Sequence, residues 1–461
     1  MTMRRQIGVL CGLVLVLGGR LEGGANHRRM PLDPEDVQPK ITEGMKAVNF
    51  ALPNLRGQRV MLSSFRGRPL VLAFFSVGGN VGQMLAQLQQ LPEKYKDLKL
   101  SVLAVEISPI VPSLPQRVVE MVAQHHLTLP VLLDGSRVAD TYGLTRRGAI
   151  YLLDDEQYVS VVADRPQKSS RLTEKLEFWA GNGSPTFGWR EDILIGYEQA
   201  LGERDPQGRP VPEDRRRPVP PQQAIRLLRS LIPPRHELAV QVDDAALDDS
   251  LVNAAKRTVE EAAKIWKAAL PDLKITYVEN RAEADVLLKF LPRVLNPQDP
   301  TGTQTLCIYC RALDEGATQG RRTSREASVK VLAQVAVEHG DGRRHGNAGM
   351  THLVAAAFGY ALGLDLCAAE RGQGTRNRRD RNKRVDKTSI VCDNVDALPI
   401  ALRPSADDLL ILRNVHAVLH YQIGKLLIEA KRYEEARQEF GQIPPHSPWV
   451  AKAQEELKKI P

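Results

Sequence analysis

The stretch LSSFRGRPLVLAFFSVGGNVG, residues 62–82, decides how the first half of the chain is read. Its middle, 70–75, is an unbroken apolar run, the mark of a strand buried on both faces. The run gives way to a turn holding Gly78, Gly79 and Gly82, and helical periodicity follows across 83–96. Further short apolar runs stand at 100–106, 129–133 and 149–153, with a helical pattern at 115–124 between them. Strands alternating with helices predict an α/β layer fold, closed by a helical pattern at 172–180.

Several phrases in this span resemble the redoxin family, the exported thioredoxin-like thiol oxidoreductases. They are Ala47-Val48-Asn49-Phe50-Ala51-Leu52, then Leu55-Arg56-Gly57-Gln58, then 62–69 leading into the apolar run. Leu129-Pro130-Val131-Leu132-Leu133-Asp134 and Tyr142-Gly143-Leu144 complete the likeness. The resemblance implies a C-x-x-C at the strand-to-helix turn, where a helix N-terminus lowers the first thiol's pKa and the thiolate attacks. It implies a proline facing those thiols as well. In this chain the redox positions are Gly79 and Gly82, and Gly148 stands where the proline is expected. No cysteine lies between Cys11 and Cys307. The domain is therefore expected to do no thiol chemistry. Its glycine-rich turn has two readings: a seat for an anion at a helix N-terminus, or a loop under no chemical demand.

Residues 203–220, ERDPQGRPVPEDRRRPVP, are dense in proline and charge and read as a linker. Beyond it, strands are predicted at 238–242, 275–278, 286–290, 305–310 and 329–337, with a long helix at 248–269. The stretch THLVAAAFGYALGL, residues 351–364, reads as a buried helix. It resembles the active-site helix of the matrixin-type metzincin proteases, whose pattern is H-E-x-G-H-x-L-G-L. The likeness extends to Tyr277–Val286 and to Leu402-Arg403-Pro404-Ser405-Ala406-Asp407-Asp408-Leu409. It puts the zinc histidines at Ala356 and Tyr360, the general-base glutamate at Ala357 and the third ligand at Leu366. Val391 replaces the methionine of the family's Met-turn. Two histidines at i and i+4 hold zinc on one helix face, and the glutamate takes a proton from the bound water. None of those groups is present, so neither cofactor nor catalysis is expected. A displaced zinc site would have to use His339, His345 and His352.

Four cysteines follow the first half: Cys307, Cys310, Cys367 and Cys392. In an exported chain they are disulfide candidates, with all pairings open. Cys307 and Cys310 also have the spacing of half a zinc knuckle, but on a strand i and i+3 face opposite ways. The basic loop 371–387, with Arg321, Arg322, Arg343 and Arg344, suggests a polyanion surface or a solvated loop; no aromatics interleave as a stacking site for nucleic acid needs. Residues 416–449 resemble one tetratricopeptide repeat, through Gly424, Ala436, Phe440 and Pro448. At the N-terminus, Arg4 and Arg5 precede an apolar run at 7–17 and a small-residue stretch, the pattern of an export signal. No later segment has transmembrane length and apolarity.

The 461 residues, 26% charged and with a formal net charge of +8, suit a multidomain globular chain. The expected division is a signal at 1–25, a thioredoxin-like domain at 40–183, a helical segment and linker at 184–235, a metzincin-like α+β domain at 236–415 and a helical tail at 416–461. The expected function is non-catalytic binding or scaffolding outside the cytoplasm, with a polypeptide as partner. The alternatives are a zinc peptidase with displaced histidines and a thiol-disulfide redox protein.

Overall fold

The structure is a computed structural model and describes residues 40–109, 112–133, 135–144, 148–163, 170–181, 186–297, 305–313, 330–338, 343–366, 402–445 and 447–460. A small antiparallel hairpin, β1 (Ala51–Pro53) and β2 (Arg59–Met61), precedes the first sheet. That sheet is built from β3 (Leu70–Phe75), β4 (Ser101–Glu106), β5 (Val131–Leu132), β6 (Ala149–Leu153) and β7 (Val159–Ala163), in the order β5-β4-β3-β6-β7. Strands β5, β4 and β3 run parallel, while β6 is antiparallel to both β3 and β7.

The unbroken apolar run of β3 has a direct cause, since both of its faces are covered. Val71, Ala73 and Phe75 pack with Leu85 and Leu88 of α1 (Val81–Leu88) and, past the short α2 (Leu91–Lys94), with Val118 and Met121 of α3 (Leu114–Gln124). Leu70, Leu72 and Phe74 face the other way, toward Leu62, Phe65 and Tyr142, the last residue of α4 (Ser136–Tyr142). Helix α5 (Ser170–Trp179) closes the first face with Leu172 and Leu176.

The rest of the chain shares one larger core. Helices α6 (Glu191–Ala200) and α7 (Pro221–Leu231) lead into β8 (Glu237–Asp243), α8 (Asp249–Ala269), β9 (Lys274–Tyr277) and β10 (Val286–Leu291). A short pair, β11 (Val294–Leu295) and β12 (Thr305–Leu306), precedes β13 (Ile308–Leu313), β14 (Lys330–Ala336) and α9 (Asn347–Ala361). The sheet order is β13-β14-β10-β8-β9, with only β13 antiparallel to its neighbour. Helices α10 (Ala406–Glu429), α11 (Tyr433–Gly441) and α12 (Trp449–Leu457) end the chain.

Two features differ from the linear reading. Residues 415 and 416, read as a boundary, fall inside α10. Ile193 of α6, Leu228 of α7, Val415 and Leu419 of α10 and Phe440 of α11 all join the core of the second sheet, so the flanking helices bury their apolar faces there. A capping box at Ser405 and Asp408 starts α10.

The start of α10 also docks the first sheet. Asp407 is buried, accepts from Trp179 Nε1 at 2.8 Å and pairs with Lys175, both on α5. Arg403 pairs with Asp154 and with Glu156 at 2.8 Å, and lies 3.5 Å over the Tyr158 ring. These contacts grip the β6–β7 turn. Because β6 is antiparallel to β3, with Leu153 opposite Leu70, that turn lies at the start of β3 and away from the glycine-rich turn at its end.

Candidate functional site

The redox turn leaves β3 at Phe75 and enters α1 at Val81. Gly78 and Gly79 have φ of +150° and +54°, and side chains there would meet open space. Gly82 is different. A Cβ on it would overlap the ring of His125, which fills the place where the resemblance puts the second sulfur. Gly148 is more constrained still. Its φ is +74° and a Cβ would run into the carbonyl oxygen of Phe74. Proline is held near −65°, so the backbone here excludes it as firmly as the space does.

Behind this turn the structure brings up a residue that the linear reading had treated only as the end of a strand. Glu106, at the end of β4, is fully buried. Its Oε1 accepts from Ser108 N–H at 2.7 Å, and Ser108 Oγ accepts from Val77 N–H at 3.3 Å, which ties the turn to β4. Glu106 Oε2 has no hydrogen-bond partner among the described residues. The signal was an acid closing the otherwise apolar run 100–106.

The span expected to carry the second centre lies on α9, which is buried from Gly349 through Ala361. Ala356 and Ala357 have no exposure at all, and Tyr360 has 9%. Trp266 Nε1 donates to the Ala355 carbonyl at 2.9 Å, binding α8 to α9. The C-terminal end of the helix is capped by Arg190, itself 1% exposed. Its guanidinium donates to the Tyr360 carbonyl at 2.9 Å and the Ala361 carbonyl at 3.4 Å, and forms two bonds to Asp192 at 2.6 and 3.1 Å. It also lies 5.3 Å from the Tyr360 ring centroid. A cation at a helix C-terminus satisfies carbonyls that have no partner within the helix. Arg190 was not singled out in the sequence, because nothing local marks it.

Tyr360 and Cys310 are close enough to Arg190 for their charges to interact. Burial pushes the Cys310 thiol and the Tyr360 phenol well above their ordinary ranges, with Arg190 opposing in both cases. Cys310, a disulfide candidate, is buried on β13 and forms no disulfide among the described residues, which do not include Cys367 and Cys392. The expectation that Cys307 and Cys310 face opposite ways is corrected too. Cys307 lies at the bend between β12 and β13, so strand alternation does not reach it, and both residues pack against the same core. His345 and His352 are buried at 6% and 0% exposure, and Leu366 is half-buried. His339, Cys367, Cys392, Val391 and the basic loop lie outside the described residues. Among the described residues no three His, Cys, Asp or Glu side chains are placed to hold a metal ion.

With this geometry in view, the first sheet can be set beside known proteins. The family model for the AhpC/TSA family matches residues 44–162. The thioredoxin-like protein YneN of Bacillus subtilis (strain 168) is 25% identical over 138 residues, which is 30% of this chain and 80% of that protein. The thiol-disulfide oxidoreductase ResA of Bacillus thuringiensis subsp. konkukian is also 25% identical, over 142 residues and the same shares. A solved structure, the putative thiol:disulfide interchange protein DsbE from Chlorobium tepidum, is 26% identical. It covers 30% of this chain and 98% of that one, with a TM-score of 0.27. Residues 44–162 form a thioredoxin-like redoxin domain.

Proposed function

We propose that this chain is a non-catalytic binding or scaffold protein, carrying a redoxin domain that no longer exchanges disulfides. The observation that carries the reading is the absence of a thiol: no cysteine stands between Cys11 and Cys307, so the whole of 44–162 lacks the attacking thiolate. Gly148 supports it, since its backbone excludes the proline that would face a thiol pair. The names of the relatives, thiol-disulfide oxidoreductases among them, bear on the fold of this domain.

The second half is read as a metalloprotease-like fold whose centre is closed. Its order of strand, long helix, further strands and buried helix fits that reading. Alanines at 356 and 357 offer neither imidazole nor carboxylate, and the complete burial of α9 leaves no room for a water to be activated. Export is part of the same proposal, supported by the basic, apolar and small-residue pattern of the first 25 residues. No helix of the described residues is long and apolar enough to cross a membrane. A polypeptide is the proposed partner, by analogy with the substrates of the protease-like fold.

Insulin reduction by the full chain, with dithiothreitol as reductant, tests the central part. The expected rate equals that of dithiothreitol alone. Turnover above it, lost on Cys307→Ser or Cys310→Ser, would restore the redox alternative.

A further inference from the structure

Where the C-terminal helices meet the second sheet, the chain buries histidines that neither vestigial centre uses. His416, in the middle of α10, is 5% exposed, and its Nδ1 has no hydrogen-bond partner among the described residues. One turn on, the His420 ring stacks on it, with centroids 6.4 Å apart and planes inclined by 16°.

A relay of charged groups fastens α11 beside this pair. Arg229 of α7 donates through Nε and Nη2 to Glu439 Oε1, at 3.0 and 2.7 Å. Glu439 Oε2 lies 2.8 Å from His420 Nδ1. Arg235, on the connector between α7 and β8, donates to the Gln442 carbonyl just past α11, at 3.0 Å.

The charges that bear on His416 are all basic: His420 on its own helix, and Arg235 and His236 on the connector. The carboxylates of the junction face other partners. Glu439 meets Arg229 and His420, Glu435 meets Arg432 and Arg229, and Glu237 meets Lys274, while Asp285 accepts from Ala239 N–H. A proton added to His416 would sit on a buried ring, with no acceptor at Nδ1 and basic groups for neighbours. Such a charge is costly to bury. Burial first, and then these neighbours, hold the pKa of His416 down at about 3, against an ordinary 6.5.

Relief lies close by. A cleft of about 590 Å³ borders His420 and is walled by Ile232, Pro233, Pro234, Glu439 and Gln442. The two prolines fix φ within the connector and let it shift as a unit.

We propose that this junction is an acid-opened latch: protonation of His416 drives the connector 232–236 and α11 away from α10, widening the cleft until water reaches the ring. A histidine that protonates more readily once exposed takes up a proton on opening. The closed form is therefore at full strength above about pH 6.5 and weakens as pH falls from there toward about 3. Between about pH 7.5 and pH 5 the open fraction should rise about thirtyfold. That window stays above the range in which Glu439 titrates.

Amide hydrogen exchange of the full chain, corrected for the intrinsic pH dependence of exchange, reads the opening. Protection of α11 should fall about thirtyfold across the window, while α8, held to α9 by Trp266, keeps its own within about threefold. In His416→Leu and His416→Gln, which remove the titrating ring, the change in α11 should shrink to about threefold or less. The proposal is overturned if α11 of the parent changes by no more than about threefold, or if both variants keep the parent's pH dependence, which would place the titration on another group. Loss of protection in α8 in step with α11 would overturn it too, since the transition would then be a general unfolding.

Discussion

At Gly148, where the redoxin resemblance expects a proline, the constraint lies in the backbone as well as in the missing side chain. A substitution that merely restored a side chain there would have to move Phe74, whose carbonyl oxygen occupies the space. Gly148→Ala should therefore destabilise the chain by about 2 kcal/mol or more, combining a positive φ with a backbone clash. Urea denaturation followed by fluorescence measures it, and a change below about 0.5 kcal/mol would show that the loop has slack. Gly79 makes the contrast, since open space surrounds it and its cost lies in φ alone. These differences between glycines are invisible in sequence, because all three read simply as a departure from a pattern. Arg190 was hidden for a related reason: the carbonyls it caps are about 170 residues further on, and only folding brings them together.

At the scale of elements, the apolar runs placed β3, β4 and β6 within a residue of their bounds, because strands buried on both faces leave a dense signal. Helix α9 was legible for the same reason, being apolar all round. Helices α6 and α7 fall in the span read as a helical segment and linker, where proline and charge between them mask the faces that bury Ile193 and Leu228 in the larger core. Glu439 of α11, which accepts from Arg229 of α7 at 2.7 Å and lies 2.8 Å from His420 Nδ1 of α10, escaped notice because its partners are on other helices. It has a pH signature. Burial pushes the Glu439 carboxyl up, but the bonds from His420 and Arg229 outweigh this and hold it below its usual 4.5. A depressed carboxyl contributes stability that is full above the unfolded value and fades as pH falls through the folded one. Between about pH 5 and 3 the parent chain should lose stability more steeply than Glu439→Gln, as read from urea midpoints. Parallel slopes would mean that the relay does not couple proton binding to folding.

For the whole molecule, the docking of the two units gives the arrangement its sense. Arg403 and Asp407 hold the redoxin domain by α5 and the β6–β7 turn, at the start of β3. The glycine-rich turn lies at the other end of that strand and takes no part in the grip. In the second unit α8, Arg190 and Cys310 close over α9. On the proposed reading, one domain has lost its chemistry by losing its thiols, the other by losing its ligands and being filled. The metal content of the purified chain after dialysis without chelator tests this most directly. If the second centre is closed by the chain's own side chains, no zinc should remain in stoichiometric amount. About one equivalent of zinc, lost when His345 and His352 are replaced by alanine, would mean that a metal centre survives there, contradicting the closed-centre account and calling for a peptidase assay.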